Sequence, residues 1–197
     1  MHSRLLPLTA ALVVAACTSL PPAPKSAAQP AYQYKLGPGD KLDIIVWKNP
    51  ELSAKVAVRP DGKISAPLID DLVAIGKNPT ELGKEIEEKL STFVRSPTVT
   101  VMVTDFVGAS PEQVRVIGQA AKPTALPYKQ RMTLLDVMIA VGGITEYAAG
   151  NRAVLIRSSD NGKQYSLRLK DLLQNGDVSA NADVLPGDVI MIPETWF

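Results

Sequence analysis

The side chains that could carry catalytic or metal chemistry are few in this chain. Its 197 residues include one cysteine, Cys17, and one histidine, His2. A single cysteine excludes an intrachain disulfide. One cysteine and one histidine are also too few to form a metal site built from these residue types. The same counts exclude a Cys-His or Ser-His-Asp catalytic machine in the folded part. We therefore expect no catalytic residues, no bound metal and no cofactor.

Six aspartates could be considered as carboxylate pairs for acid–base chemistry. Nearly all of them lie at turns or strand starts, where Asp hydrogen-bonds the backbone, so we favour a structural role. The six are Asp40, Asp43, Asp61, Asp70, Asp71 and Asp188. Asp40 and Asp188 each end a Pro-Gly-Asp sequence followed by an apolar run. This repeat predicts the same turn into a strand near each end of the folded body.

The two tryptophans could stack on sugar rings. Trp47 ends a strand that we predict to be buried, which favours a place in the core. Trp196 lies beside Phe197, and this pair fits an interface or a membrane contact as well as a sugar. No residue can be named as a sugar ligand from the sequence, so the substrate-binding residues stay unknown.

Cys17 ends a segment typical of secretion. Residues 5–14 form an apolar run that is shorter than the roughly 20 residues needed to span a bilayer. The sequence Val14-Ala15-Ala16-Cys17 resembles the lipobox of bacterial lipoproteins, which implies cleavage between Ala16 and Cys17 and lipidation of the Cys17 thiol. The residue after the cysteine is Thr18 and not an aspartate, which resembles the sorting pattern of lipoproteins directed to the outer membrane. The alternative is a simple signal peptide with an incidental cysteine.

Composition and charge are those of an ordinary globular protein. The chain carries 21 basic and 20 acidic residues, so it offers no basic field for nucleic acid. A proline-rich stretch after the signal cannot bury enough apolar surface to order itself, and we interpret it as a tether. We predict a signal peptide at 1–16, the tether at 17–32, folded domains at 33–107 and 112–165, and a closing segment at 166–197.

The first domain alternates strand and helix signals. We predict a strand at 42–47 and a hairpin of residues 56–59 with 63–68. Asn78, Pro79 and Glu81 are the residues of a helix N-terminus, and the helix should bury a stripe that ends at Phe93. Residues 98–106 alternate valines with threonines and Met102, which indicates a half-buried strand whose threonine-rich side faces water or a neighbouring subunit.

The second domain continues this α+β pattern. We predict strands at 114–118, 124–128 and 189–192, and an Asn-Gly hairpin between 153–157 and 164–169. Thr133 caps a helix that is apolar nearly all round and should be buried, and Gly142-Gly143 ends it. No apolar run after Ala16 approaches the length of a transmembrane helix.

These motifs, taken in order, resemble those of the outer-membrane polysaccharide export lipoproteins. The resemblance covers nearly the whole mature chain. Its first part, similar to the polysaccharide biosynthesis/export domain, is carried by Leu36-Gly37-Pro38-Gly39-Asp40, Arg59-Pro60-Asp61-Gly62-Lys63, Pro79-Thr80-Glu81-Leu82 and Ser96-Pro97-Thr98-Val99. Its second part, similar to the β-grasp module called SLBB, is carried by Val116-Ile117-Gly118, Thr133-Leu134-Leu135-Asp136, Gly142-Gly143, Asn181 and Leu185-Pro186-Gly187-Asp188.

The resemblance implies a passive transport role. By this resemblance, identical subunits would form stacked rings around a lumen, and capsule or exopolysaccharide would pass through that lumen. This chain ends five residues after Ile192, so it resembles the short members of exosortase-associated loci. The implied partners are copies of itself, the polysaccharide, an inner-membrane chain-length or polymerase component and a separate outer-membrane β-barrel.

Two other classes of function stay open. A monomeric periplasmic carbohydrate-binding lipoprotein would show a defined oligosaccharide affinity without forming rings. A polysaccharide-modifying enzyme would need a clustered acid–base pair, which the sequence does not display. The near balance of charge is compatible with neutral and acidic polymers alike, so it does not select a substrate.

Overall fold

The computed structural model describes residues 19–27, 32–108 and 110–195. Two mixed units of helix and sheet follow one another along the chain, each around its own hydrophobic core. The α+β class predicted from the sequence is therefore confirmed. Ala16, Cys17, Trp196 and Phe197 lie outside the described residues.

The first unit contains a three-stranded sheet in the order β2-β1-β5 and a separate two-stranded sheet of β3 and β4. One helix, α1, packs against β5. The elements are β1 (Lys41–Val46), β2 (Ala54–Ala57), β3 (Lys63–Ala66), β4 (Ile69–Val73), α1 (Pro79–Leu90) and β5 (Val99–Asp105).

Strand β1 explains why Trp47 is exposed rather than buried. Leu42, Ile44 and Val46 point into the core, and the residues between them point outward. Trp47 falls on the outward side of this alternation, just beyond the strand, and 67 % of it is exposed. The prediction of a core tryptophan was wrong because the period of two places its side chain opposite to that of Val46.

The predicted hairpin after β1 is also wrong. The turn itself forms, since Gly62 has a φ of +77° and its N–H donates to the Arg59 carbonyl. The flanking segments join different sheets, however. Strand β2 pairs with β1 in an antiparallel ladder, whereas β3 pairs with β4. Strand β4 is the element that sequence reasoning missed.

Helix α1 begins as its sequence predicts and ends earlier than expected. The Asn78 side chain accepts from the Glu81 N–H at 2.8 Å, and the Glu81 carboxylate accepts from the Asn78 N–H at 3.0 Å. Leu82, Ile86 and Leu90 are buried. Phe93 lies beyond the helical end, where the 3.6-residue period no longer applies, and it is 63 % exposed.

The second unit is a five-stranded sheet in the order β7-β6-β10-β8-β9. Strands β6 and β10 are parallel, and the other neighbours are antiparallel. A Cβ at Gly118 would collide with the Ile192 carbonyl oxygen, so this glycine permits the close approach. The elements are β6 (Val114–Gly118), β7 (Thr124–Leu126), α2 (Leu134–Ala140), β8 (Ala153–Arg157), β9 (Lys163–Leu167), α3 (Leu169–Gln174) and β10 (Val189–Ile192).

The local signals of this unit are mostly confirmed. Thr133 and Asp136 form the capping box of α2, and Asn161 with Gly162 turns between β8 and β9 at positive φ. One expectation fails. Ile139 on α2 is 71 % exposed, because only one side of this short helix faces the hydrophobic core.

Residues 19–27 lie along the outer edge of β9. The Pro21 carbonyl accepts from the Ser166 N–H at 2.8 Å, and the Ala23 N–H donates to the Ser166 carbonyl at 3.2 Å. Further along, the Ala27 N–H donates to Asp183 Oδ2. This part of the predicted tether therefore covers an edge strand that would otherwise present unpaired backbone groups.

Among the described residues, no helix combines the length and apolar character that crossing a bilayer requires.

Candidate functional surfaces

The Asp40 carboxylate organises the boundary between the two units. It is fully buried and accepts four hydrogen bonds, from the Gly37 N–H at 2.8 Å, the Tyr34 hydroxyl at 2.7 Å, and the Val107 and Gly108 N–H groups at 2.7 and 2.9 Å. A carboxylate engaged in this way is a structural acceptor. The turn role that the sequence predicts for Asp40 is therefore confirmed, and the residue reaches further than its own turn.

Asp188 occupies the equivalent position in the second unit with a different partner. It is fully buried and accepts from the Leu185 N–H at 2.8 Å and from Arg157 Nη2 at 3.3 Å. The same Arg157 nitrogen donates to the Asp183 carbonyl at 2.7 Å. Burial raises the pKa of the Asp188 carboxyl, against the opposing effects of the Leu185 N–H and the Arg157 charge. Within the described chain, Arg157 Nε and Asp188 Oδ1 have no hydrogen-bond partner.

Three of the other four candidate carboxylates, Asp61, Asp70 and Asp71, are exposed. Asp61 and Asp71 both contact Arg59, at 2.6 and 2.7 Å, and hydrogen bonding from Arg59 lowers the pKa of Asp61 to about 2. Asp43 is half-buried and Asp70 is exposed. The part of the chain that the structure describes contains no group of three or more His, Cys, Asp or Glu residues arranged to hold a metal ion.

Aromatic rings meet where the two units adjoin. Tyr34 and Phe106 contact edge to face with ring centres 5.3 Å apart, and Tyr32 contacts Tyr128 in the same way at 4.9 Å. The Tyr32 hydroxyl donates to Glu112 at 3.2 Å. Burial, reinforced by the neighbouring carboxylates, raises the pKa of Tyr32 and of Tyr34 well above the usual range.

Two adjoining clefts open at this boundary. The first has a volume of about 340 Å³ and is lined by Tyr34, Phe106, Pro127, Tyr128, Lys129 and Gln130. The second, of about 470 Å³, shares three of these residues and runs onto α2. It is lined by Leu126, Pro127, Lys129, Gln130, Arg131, Met132, Asp136, Ile139 and Ala140. We call the two together the junction groove.

A second exposed surface is the outer face of the first sheet. Ile45 on β1 pairs with Thr100 on β5, and Met102 is the next outward residue on β5. Ile45 and Met102 are 39 % and 43 % exposed, and Trp47 continues the row. The expectation of a half-buried strand at β5 is confirmed, with the valines inward and the threonines outward.

Sequence reasoning identified the two turn aspartates and missed the junction groove. The reason is that its rings come from separate stretches, at residues 32–34, 106 and 128. A usable signal was present for two of these residues, because Phe106 and Tyr128 stand at the ends of the strands predicted at 98–106 and 124–128. Such positions place large rings at an edge of a folded unit.

Two sequence families match the chain, one for each unit. The profile described as polysaccharide biosynthesis/export protein matches residues 28–104, and the SLBB domain profile matches residues 112–192. The two matches follow one another in the order that the sequence motifs predict.

Curated relatives carry names that refer to polysaccharide export. The chain is 27 % identical over 188 residues to the EPS I polysaccharide export outer membrane protein EpsA of Ralstonia nicotianae, covering 83 % of this chain and 48 % of EpsA. It is 27 % identical to the exopolysaccharide production protein ExoF of Rhizobium meliloti, covering 83 % and 41 %. It is 24 % identical to the capsule polysaccharide export outer membrane protein CtrA of Neisseria meningitidis, covering 70 % and 39 %. The chain thus spans less than half the length of these relatives.

Proposed function

Because the chain belongs to the polysaccharide biosynthesis/export protein family, we propose that it is a periplasmic component of a machine that exports capsule or exopolysaccharide across the outer membrane. The observation that carries this proposal is the ordered pair of domain matches over residues 28–104 and 112–192. The names of the relatives, which refer to polysaccharide export or production, support the same role.

The proposed role is passive. The chain supplies a sheltered, hydrated path for the polymer and a docking face for an inner-membrane chain-length or polymerase component. The engagement of Asp40 and Asp188 by fixed donors supports this, since a carboxylate committed to the fold does not exchange protons with a substrate.

We further propose that identical subunits close into a ring through a heterologous contact. The outer face of the first sheet supports this. Trp47, Ile45 and Met102 form an exposed apolar row there, and contiguous apolar surface on a soluble unit commonly marks a protein contact.

The membrane attachment in this proposal is lipid on Cys17, after cleavage behind Ala16, with the folded units facing the periplasm. Its support is the lipobox-like sequence and the short apolar run before it.

Deletion of the gene tests the export role. We expect the deletion strain to lose surface polysaccharide and to accumulate polymer in the periplasm. Reintroducing the wild-type gene should restore export. Normal surface polysaccharide in the deletion strain would contradict the proposal.

Native mass spectrometry of the mature protein in mild detergent tests the anchor and the ring together. We expect diacylglycerol mass on the wild-type chain, none on Cys17→Ala, and a discrete large oligomer that Trp47→Ala weakens. Phe93→Ala is the matched control, because this exposed aromatic residue lies in the turn after α1 and not on a strand of the sheet. A monomer under every condition, with a defined oligosaccharide affinity, would instead favour the carbohydrate-binding lipoprotein.

A further inference from the structure

The junction groove has an aromatic lobe and a polar lobe that share Pro127, Lys129 and Gln130. We propose that this groove is a saccharide-binding site, in which Phe106 and Tyr34 stack on a pyranose ring and Lys129 and Gln130 bind its hydroxyl or carboxylate groups. The inference rests on the proposed export function and adds to it a specific point of contact with the polymer.

The aromatic lobe fits the apolar face of a sugar ring. A pyranose presents C–H groups on its faces and hydroxyl groups around its rim, so an aromatic surface beside polar groups complements it. Phe106 is 52 % exposed, and its edge-to-face contact with Tyr34 sets two rings at 83° to each other. This arrangement offers a wall and a floor to one ring of the polymer.

The polar lobe favours an acidic saccharide. Lys129 and Arg131 bring two positive charges to the groove, and both residues are exposed. The one carboxylate in the lining, Asp136, accepts from the Thr133 N–H at 2.8 Å and from the Thr133 hydroxyl at 2.7 Å as the cap of α2. The two cationic side chains exceed this one carboxylate in number, so the lining carries a net positive charge and uronate groups complement it.

Asp40 holds the aromatic lobe in place. Its carboxylate accepts from the Tyr34 hydroxyl and from the Val107 N–H, directly after Phe106. One buried group thus restrains the Tyr34 ring directly and the backbone next to Phe106. A site restrained before binding loses less conformational entropy when a ligand enters. Asp40 is in this proposal a positioning residue that touches no ligand atom.

The direct test titrates the mature, isotope-labelled chain with two probes, an oligogalacturonate hexamer and cellohexaose, followed by nuclear magnetic resonance. We expect chemical-shift changes at residues 126–131 and at Phe106, and tighter binding of the acidic probe that weakens with added salt. Phe106→Ala should weaken binding about tenfold or more, which is the scale of one lost contact. Lys129→Ala should reduce the preference for the acidic probe.

Each variant has a matched control. Phe93→Ala removes another exposed phenylalanine, outside the groove, and Lys122→Ala removes an exposed lysine of the same unit as Lys129. Both should bind as the wild type does. Absence of shifts at millimolar probe, or equal losses in the controls, would overturn the site. Equal binding of both probes would overturn the charge preference and leave the stacking contact supported.

A double-mutant cycle tests the role of Asp40. Asp40→Asn should weaken binding in the wild-type background and cause a smaller loss in the Phe106→Ala background, because only one of the two ring positions that Asp40 restrains, Tyr34, is then left. A purely structural effect would reduce the active fraction in both backgrounds alike, which would contradict the positioning role.

Export in cells separates this inference from the function on which it rests. If the gene deletion abolishes export but Phe106→Ala neither binds the probes differently nor changes polymer output, the groove proposal fails and the export role stands. If the deletion leaves export intact, the export role fails whatever the groove binds.

Discussion

The two Pro-Gly-Asp turns have the same local geometry and different tertiary partners. Gly39 and Gly187 have φ values of +93° and +81°. In each turn, the Asp carboxylate accepts at 2.8 Å from the N–H three residues earlier, and the Asp N–H donates to the carbonyl of that residue at 3.2 Å. These contacts span four residues, so the turn sequence alone is sufficient to produce them.

The two turns differ in the further partners that bind each aspartate from outside its own turn. Asp40 faces neutral donors at the boundary between units, and it positions Tyr34 and the backbone after Phe106. Asp188 faces the Arg157 guanidinium inside the second unit. One local motif therefore restrains residues of an exposed groove in one place and joins core elements by a buried ion pair in another.

The largest expected effect comes from breaking the buried ion pair. Arg157→Ala leaves the Asp188 carboxylate buried without its cation, so we expect a loss of about 3–5 kcal/mol in the free energy of unfolding. Urea denaturation measures the loss, and hydrogen exchange should locate it in the second unit. Arg115→Ala, an exposed arginine on the same sheet, should change stability by less than about 0.5 kcal/mol. Equal effects of the two variants would contradict the importance of the pair.

Replacing each turn glycine by alanine should lower the stability of the protein by different amounts at the two turns. Both positions need positive φ, which costs a non-glycine residue about 1–2 kcal/mol. At Gly187 a Cβ would also lie 2.5 Å from the Pro111 carbonyl oxygen, whereas at Gly39 its nearest contact is a Val107 methyl group at 3.4 Å. We therefore expect Gly187→Ala to destabilise by roughly 1–3 kcal/mol more than Gly39→Ala in thermal unfolding. A Gly39→Ala loss as large as that of Gly187→Ala would show that the first turn is equally constrained.

The smallest effect is a pH dependence specific to Asp188. Its pKa is raised in the folded chain, so the folded state binds the proton at higher pH than the unfolded state does. The contribution of this group to stability is fully present below the unfolded pKa of about 3.9 and is lost as pH rises through the folded pKa. The stability of the wild type relative to Asp188→Asn should therefore fall with rising pH.

Asp61 is the control, because its contribution to stability should change with pH in the opposite direction to that of Asp188. Hydrogen bonding from Arg59 lowers its pKa to about 2, so its contribution is present above the unfolded pKa and is lost as pH falls through the folded value. Denaturation series across the acid range measure both slopes. The same sign for Asp61→Asn and Asp188→Asn would contradict the assignment.

Prediction from sequence succeeded where contacts are local. The capping boxes at Asn78 and Thr133, the Asn161 turn and the valine alternation of β5 appear where the residues indicate them. The prediction of burial failed for residues that the sequence placed inside an element and that lie just beyond its end in the structure. Trp47 follows the last residue of β1 and Phe93 follows the end of α1, so both are exposed instead of buried.

Sequence by itself indicated the turns, the helix caps and the order of the family motifs, because those features depend on neighbouring residues and on motifs in a fixed order. Only the tertiary structure decided what each turn aspartate holds and where the groove lies. Asp40 contacts Val107 across 67 positions of the chain, and Arg157 contacts Asp188 across 31. Contacts of that range depend on how whole elements pack, and no local pattern of residue types specifies that packing.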